Sequence, residues 1–191
     1  MRKVILTAIV MGLVGAASFA QSTDVAARGD RPDWALVVHG GAGVIERGAM
    51  TPEREAQYRA AMALSLEIGS NVLGEGGSSI DAIEAVIRAF EDDELFNAGR
   101  GAVFTAAGRN ELDSSIMDGA TLNAGAVAGV TSVRHPISLA RAVMERSKHV
   151  MLQGAGAETF AVEQGLEISP ASHFFTERRW VSMERALGRM G

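Results

Sequence analysis

Hydrophobic positions fall into short blocks separated by glycine-rich and polar stretches, and the period of each block names its element. Trp34-Ala35-Leu36-Val37-Val38 is a continuous apolar, β-branched run that stops at His39-Gly40-Gly41-Ala42-Gly43. That pattern predicts a buried strand delivering its end into a glycine loop. Thr51 before Pro52 predicts a helix start, because a hydroxyl cap followed by a first-turn proline costs no helical hydrogen bond. The helix should carry Tyr58, Ala61, Met62, Ser65 and Leu66 on one stripe until Gly69 to Gly77 break it. Ser78-Ser79-Ile80-Asp81 has capping-box spacing, and the helix behind it places Ile80, Ile83, Ile87 and Phe90 on one face.

The second half of the chain reads differently. Asn110 to Asp118 alternates, with Leu112, Ser114 and Ile116 on one face, and Asn123 to Val130 is an alanine, glycine and valine run of strand length. Both read as strands, adjacent and antiparallel. Pro136 opens a helix through Ser147, Val150 to Leu152 predicts a buried strand, and Gly156 to Gln164 predicts a helix ending at Gly165. The pattern weakens from Ser169. An order of strand, two helices, two strands, helix, strand and helix predicts an α+β layered domain rather than alternating βαβ units.

The N-terminus adds a leader. Met1-Arg2-Lys3, an apolar stretch from Val4 to Val14 and small residues ending at Ala20 have the three-part layout of a secretory signal peptide cut before Gln21. The stretch is too short to span a bilayer, so no membrane contact is expected after cleavage, and a periplasmic or secreted protein is. Residues 21–33 read as a flexible leader, 34–180 as one domain, and 181–191 as a short linker. Of 191 residues, 18 are basic and 23 acidic; removing Arg2 and Lys3 leaves 16 basic residues and a net charge of -7, which excludes a nucleic-acid footprint. Absence of cysteine excludes disulfides, thiolate metal sites and a cysteine nucleophile.

Candidate chemistry is sparse. Consecutive N–H groups in the His39–Gly43 loop suit an anion or developing negative charge, although a tight turn explains the same glycines. Glu91-Asp92-Asp93-Glu94 reads as a solvated acidic turn, since four successive acids cannot converge on one ion. Asn97, between the aromatic Phe96 and glycines, offers both donor and acceptor. Asp113-Ser114-Ser115 has no histidine near it in sequence, and His39, His135, His149 and His173 show no metal-binding spacing. These rules alone assemble no complete catalytic set.

Taken together, the His39–Gly43 loop, Leu95-Phe96-Asn97-Ala98-Gly99-Arg100-Gly101-Ala102-Val103-Phe104-Thr105, Glu111-Leu112-Asp113 with Ile116-Met117-Asp118-Gly119, and Ala124 to Val130 resemble the plant-type asparaginase and isoaspartyl peptidase family. Pro136-Ile137, Leu139 to Glu145 and His149 to Leu152 extend the resemblance, which covers about Trp34 to Trp180.

The resemblance implies an N-terminal nucleophile hydrolase with an αββα sandwich, made as a precursor that cuts itself between a glycine and a threonine. That threonine attacks the side-chain amide of asparagine or a β-aspartyl peptide bond, with its own amine as base. Because this chain ends at Gly191, the resemblance implies the α-subunit half, or a precursor stopped at the scissile bond. It places no catalytic residue proper here, only a supporting shell of His39, Gly40, Gly41 and Asn97, with Gly191 as the autocleavage position. A structural sodium ion is implied on the backbone carbonyls of Phe90, Glu91, Asp93, Phe96, Ala98 and Arg100, with no organic cofactor. The implied partners are the chain's own β subunit in an (αβ)2 heterotetramer and a small asparagine or isoaspartyl dipeptide substrate. Glycosylasparaginase, the threonine aspartase and a stand-alone periplasmic binding module are the alternatives.

Overall fold

A computed structural model describes residues 33–41, 48 and 50–188. The signal-peptide reading of residues 1–20, the leader to residue 32, Ala42, Gly43 and Gly191 lie outside the described residues.

Two long helices come first. Helix α1 (Pro52–Gly74) begins where Thr51 and Pro52 predict, with the Thr51 side chain accepting from the Arg54 N–H. It does not break at Gly69. That glycine is buried inside the helix because a Cβ there would lie 2.6 Å from Leu36 and 2.8 Å from Val86, so its function is close packing rather than termination. Leu66, expected on the inner stripe, is exposed instead, and the buried seam is Ser65 and Gly69. Helix α2 (Ser79–Asp92) carries the full capping box of Ser78 and Asp81 and buries Ile80 and Phe90 as predicted.

Strands β1 (Leu112–Met117) and β2 (Ala124–Val130) pair antiparallel, and the short β3 (Met151–Gln153) adds parallel to β2. The register slips between Leu112 and Ser114, where two residues of β2, Ala128 and Gly129, oppose the single Asp113 of β1. Gly129, at φ 61°, absorbs the extra residue, and its N–H donates to Asp113 Oδ1 at 2.8 Å. Asp113 therefore ties down a bulge. Helix α3 (Pro136–Arg146) packs so closely on β2 that a Cβ on Gly125 would sit 2.1 Å from the Ala140 carbonyl oxygen. Helix α4 (Gly154–Glu163) starts two residues before the predicted Gly156. Beyond Ser169, where the pattern fades, lie the short α5 (Ala171–Phe174) and α6 (Glu177–Gly188), which runs across the expected boundary at residue 180.

Three expectations fail for one reason, long-range partnership. Trp34 to Val38 is extended but joins no ladder; Leu36 and Val38 are half-buried along α1 and α2 while Val37 is 90% exposed. A strand needs a neighbour for its backbone groups, and none is present among the described residues. The predicted buried strand at Val150 to Leu152 is a three-residue edge with Met151 exposed. The acidic run is not a solvated turn throughout: Glu91 and Asp92 close α2, and Glu91 is buried. The architecture is α+β, as expected.

Candidate functional site

A cleft of about 630 Å³ opens where the end of the extended segment meets α1, α2, the loop after α2 and the start of α6. It brings together His39, Gly40, Gly41 and Asn97, the four supporting residues expected from sequence. Gly40 is held where a Cβ would meet Met62 Sδ at 3.0 Å and the Phe96 ring at 3.1 Å, so the backbone runs against the cleft wall. The anion-cradle reading is modified here. The Gly41 N–H turns back and donates to His39 Nδ1 at 3.2 Å, at a φ of 119° that favours glycine.

Asn97 belongs to a tight loop between α2 and the 3-10 turn at Gly99–Gly101. Its Oδ1 accepts from the Val103 N–H at 2.9 Å, closing the loop, while its NH2 group makes no hydrogen bond among the described residues. Tyr58 Oη donates to the Leu95 carbonyl at 3.0 Å, and the Tyr58 ring meets Phe96 edge-on at 6.0 Å. Phe96 in turn packs on Phe90 at 4.3 Å. The floor of the cleft is thus an aromatic stack.

The expected sodium ligands can be tested against this loop. The acidic side chains diverge: Glu91 accepts from the Ile137 N–H at 3.0 Å, Asp92 pairs with Arg134 at 3.2 Å, and Asp93 accepts from the Leu95 N–H at 2.9 Å. Among the described residues no group of three or more His, Asp or Glu gathers as metal ligands do. The backbone behaves otherwise. A Cβ on Gly99 would lie 2.2 Å from the Glu91 carbonyl oxygen, and one on Gly101 would lie 2.0 Å from that of Phe96, so the segment coils on itself with two carbonyls packed against glycines that leave no room for a side chain. The carbonyls of Phe90, Asp93 and Ala98 each accept one N–H and keep a second lone pair. Three of the six carbonyls expected to hold sodium thus have a lone pair to offer a cation.

Two residues were missed by the sequence reading. Arg178 and Arg179, in the first turn of α6, line the cleft opposite the loop. An Arg178 Nη2–H donates to the Glu94 carbonyl, and Arg179 Nε–H to the Gly101 carbonyl at 2.6 Å, so α6 clasps the loop at both ends. Burial, then the neighbouring Arg178, hold the Arg179 guanidinium below its ordinary value. Trp180 anchors the same helix, its ring 5.2 Å from Phe104 and 5.9 Å from Phe175. The available signal was the arginine pair itself, since cations in a first turn oppose the helix dipole.

Outside the cleft, His135 is buried beside Glu91, with Nδ1 3.5 Å from Glu91 Oε2. His149 is exposed and His173 half-buried, so the histidines stay dispersed.

The chain that builds this α+β body and cleft matches the asparaginase family over residues 32–190, and it belongs to that family. Among its relatives, the isoaspartyl peptidase of Salmonella typhimurium is 46% identical over 157 residues, covering 81% of this chain and 50% of that protein. The isoaspartyl peptidase of Escherichia coli is 46% identical over 145 residues, covering 76% and 45%. The isoaspartyl peptidase/L-asparaginase of Homo sapiens is 41% identical over 150 residues, covering 78% and 47%. The chain spans about half the length of these relatives.

Proposed function

We propose that this chain is the α-subunit part of an autoprocessed threonine hydrolase that cleaves isoaspartyl dipeptides and the side-chain amide of L-asparagine, releasing aspartate. The observation that carries the reading is the meeting of the His39–Gly41 loop and Asn97 in one cleft of a chain from this family. The relatives' names favour the isoaspartyl peptidase branch over glycosylasparaginase and the threonine aspartase.

In this reading the nucleophile is a threonine downstream of Gly191, freed as a new N-terminus. Its hydroxyl attacks the amide carbonyl and its α-amine takes the proton; ammonia or an amino acid leaves, and water then frees aspartate from the ester. The work of this chain is positional. The His39–Gly41 backbone walls the reacting centre, and the Asn97 amide supplies an oriented donor. The carbonyls of Phe90, Glu91, Asp93, Phe96, Ala98 and Arg100 would hold a sodium ion, whose charge would tie the Asn97 loop together. Exposed Val37, Met117 and Met151 supply apolar surface for a β subunit, which would complete the αββα sandwich and an (αβ)2 assembly. The N-terminal pattern of Arg2, Lys3 and Val4 to Ala20 supports export to the periplasm or beyond.

The full-length gene product should appear as two fragments, the smaller beginning with threonine, and should release aspartate from β-aspartyl dipeptides. Replacing that threonine by alanine should leave one uncut, inactive chain. Residues 21–191 alone should release no ammonia from asparagine; activity there would place the nucleophile in this chain and end the reading.

A further inference from the structure

The charge of the cleft has a use that the positional roles leave over. We infer that Arg178 and Arg179 bind the carboxylate of the amino acid that departs when a β-aspartyl dipeptide is cut, so that this chain favours dipeptides over asparagine. The inference rests on the substrate class proposed above.

Two arginines line the cleft and no aspartate or glutamate does, in a protein of net charge -5. Elsewhere the fold gives arginines their counter-charges: Arg134 pairs with Asp92 and Glu167, and Arg141 with Asp81, Glu84 and Glu145. Neither Arg178 nor Arg179 has a carboxylate within 4.0 Å among the described residues. Each is instead aimed by one bond to a backbone carbonyl, Arg178 to Glu94 and Arg179 to Gly101. A guanidinium has five donors, so most remain for a ligand, held in a rigid fork that matches a carboxylate.

Their charges, unlike their bonds to the loop, carry an electrostatic cost. They stand side by side in the first turn of α6, at the positive end of its dipole, and Arg179 is half-buried. An arriving anion relieves all three costs. The rest of the cleft suits an amino acid rather than a bare ion, because Ile87, Phe90, Leu95 and Val103 offer an apolar wall beside the arginines. On the leaving-group side asparagine offers only ammonia, whereas a dipeptide places its terminal carboxylate beyond the scissile bond, where this subsite would meet it.

The test is the ratio of kcat/KM for β-aspartyl-leucine to that for β-aspartyl-leucinamide in the full-length enzyme. The amide lacks only the terminal charge, so it controls for folding and for the chemical step. A charge-assisted pair predicts about tenfold preference for the free acid. Arg178→Gln should bring the ratio toward one, Arg178→Lys should restore part of it, and added salt should erode it. A ratio near one in the unaltered enzyme, or one that Arg178→Gln leaves unchanged, overturns the inference and makes the arginines clasps for the loop or counter-ions for a carboxylate of the second half. Hydrolysis of neither substrate instead sinks the proposed function, and the subsite with it.

Discussion

Two cores of unequal weight share this fold. The larger joins the sheet to α2, α3, α4 and α5 through fourteen buried residues, among them Val127, Val130, Ile137, Leu139 and Phe174. The smaller lies under the cleft and has three, Val86, Phe90 and Phe96, eked out by half-buried Val38, Tyr58 and Met62. Apolar burial scales with area removed from water, so cooperativity resides in the first core while the second is held by directional bonds to backbone carbonyls from Tyr58, Arg178 and Arg179. The candidate site stands on the thinner support. A region fixed by hydrogen bonds rather than packing can hold exposed polar groups in place, which a catalytic cleft requires.

The sharpest probe of that contrast pairs two glycines. Gly125→Ala should be the most damaging single change, costing about 3 kcal/mol, because its Cβ meets the backbone of α3 at 2.1 Å inside the larger core. Chemical denaturation should show the loss for the whole chain. Gly99→Ala is as crowded, 2.2 Å from the Glu91 carbonyl at a φ of 43°, but lies on the thin side. It should cost about 1–2 kcal/mol globally while reducing activity of the complete enzyme by an order of magnitude or more. Equal melting-temperature losses for the two would erase the distinction between the cores.

A smaller effect concerns the rim of the larger core. Glu158 Oε1 accepts from Thr131 N at 2.6 Å, Thr131 Oγ1 at 2.9 Å and Ser132 N at 2.9 Å, just past β2. Burial alone would raise this carboxyl, but the donors outweigh it and hold it below its ordinary value. A lowered folded value means stability that is present above the unfolded pKa and lost as pH falls through the folded one. Glu158→Gln should therefore cost about 1–2 kcal/mol at neutral pH, a difference that shrinks in acid below the usual carboxylate range. Urea titrations at several pH values would show it, and a gap that widens in acid would reverse the assignment.

The least effect is expected on the outer face of α1, which buries only Ser65 and Gly69. Arg59→Ala breaks an exposed pair with Glu55 and should cost no more than about 0.5 kcal/mol in a thermal melt. A larger loss would mean that the thin side depends on α1 more than its burial allows.

What the sequence determined by itself was local. Thr51 with Pro52, and Ser78 with Asp81, start their helices at the predicted residues because a cap satisfies N–H groups within one turn and needs nothing distant. Leu112, Ser114 and Ile116 placed β1 correctly because alternation is a property of the strand itself. The family was also legible, since the glycine-rich blocks that carry it are contiguous. Tertiary structure decided everything that needed a remote partner. It left Trp34 to Val38 without a ladder among the described residues, buried Glu91 against the Ile137 N–H, and kept α1 continuous through Gly69 by setting Leu36 and Val86 against it. It alone carried Arg178 and Arg179 to the carbonyls of Glu94 and Gly101, because backbone acceptors are identical at every residue and leave no mark in the pattern of side chains.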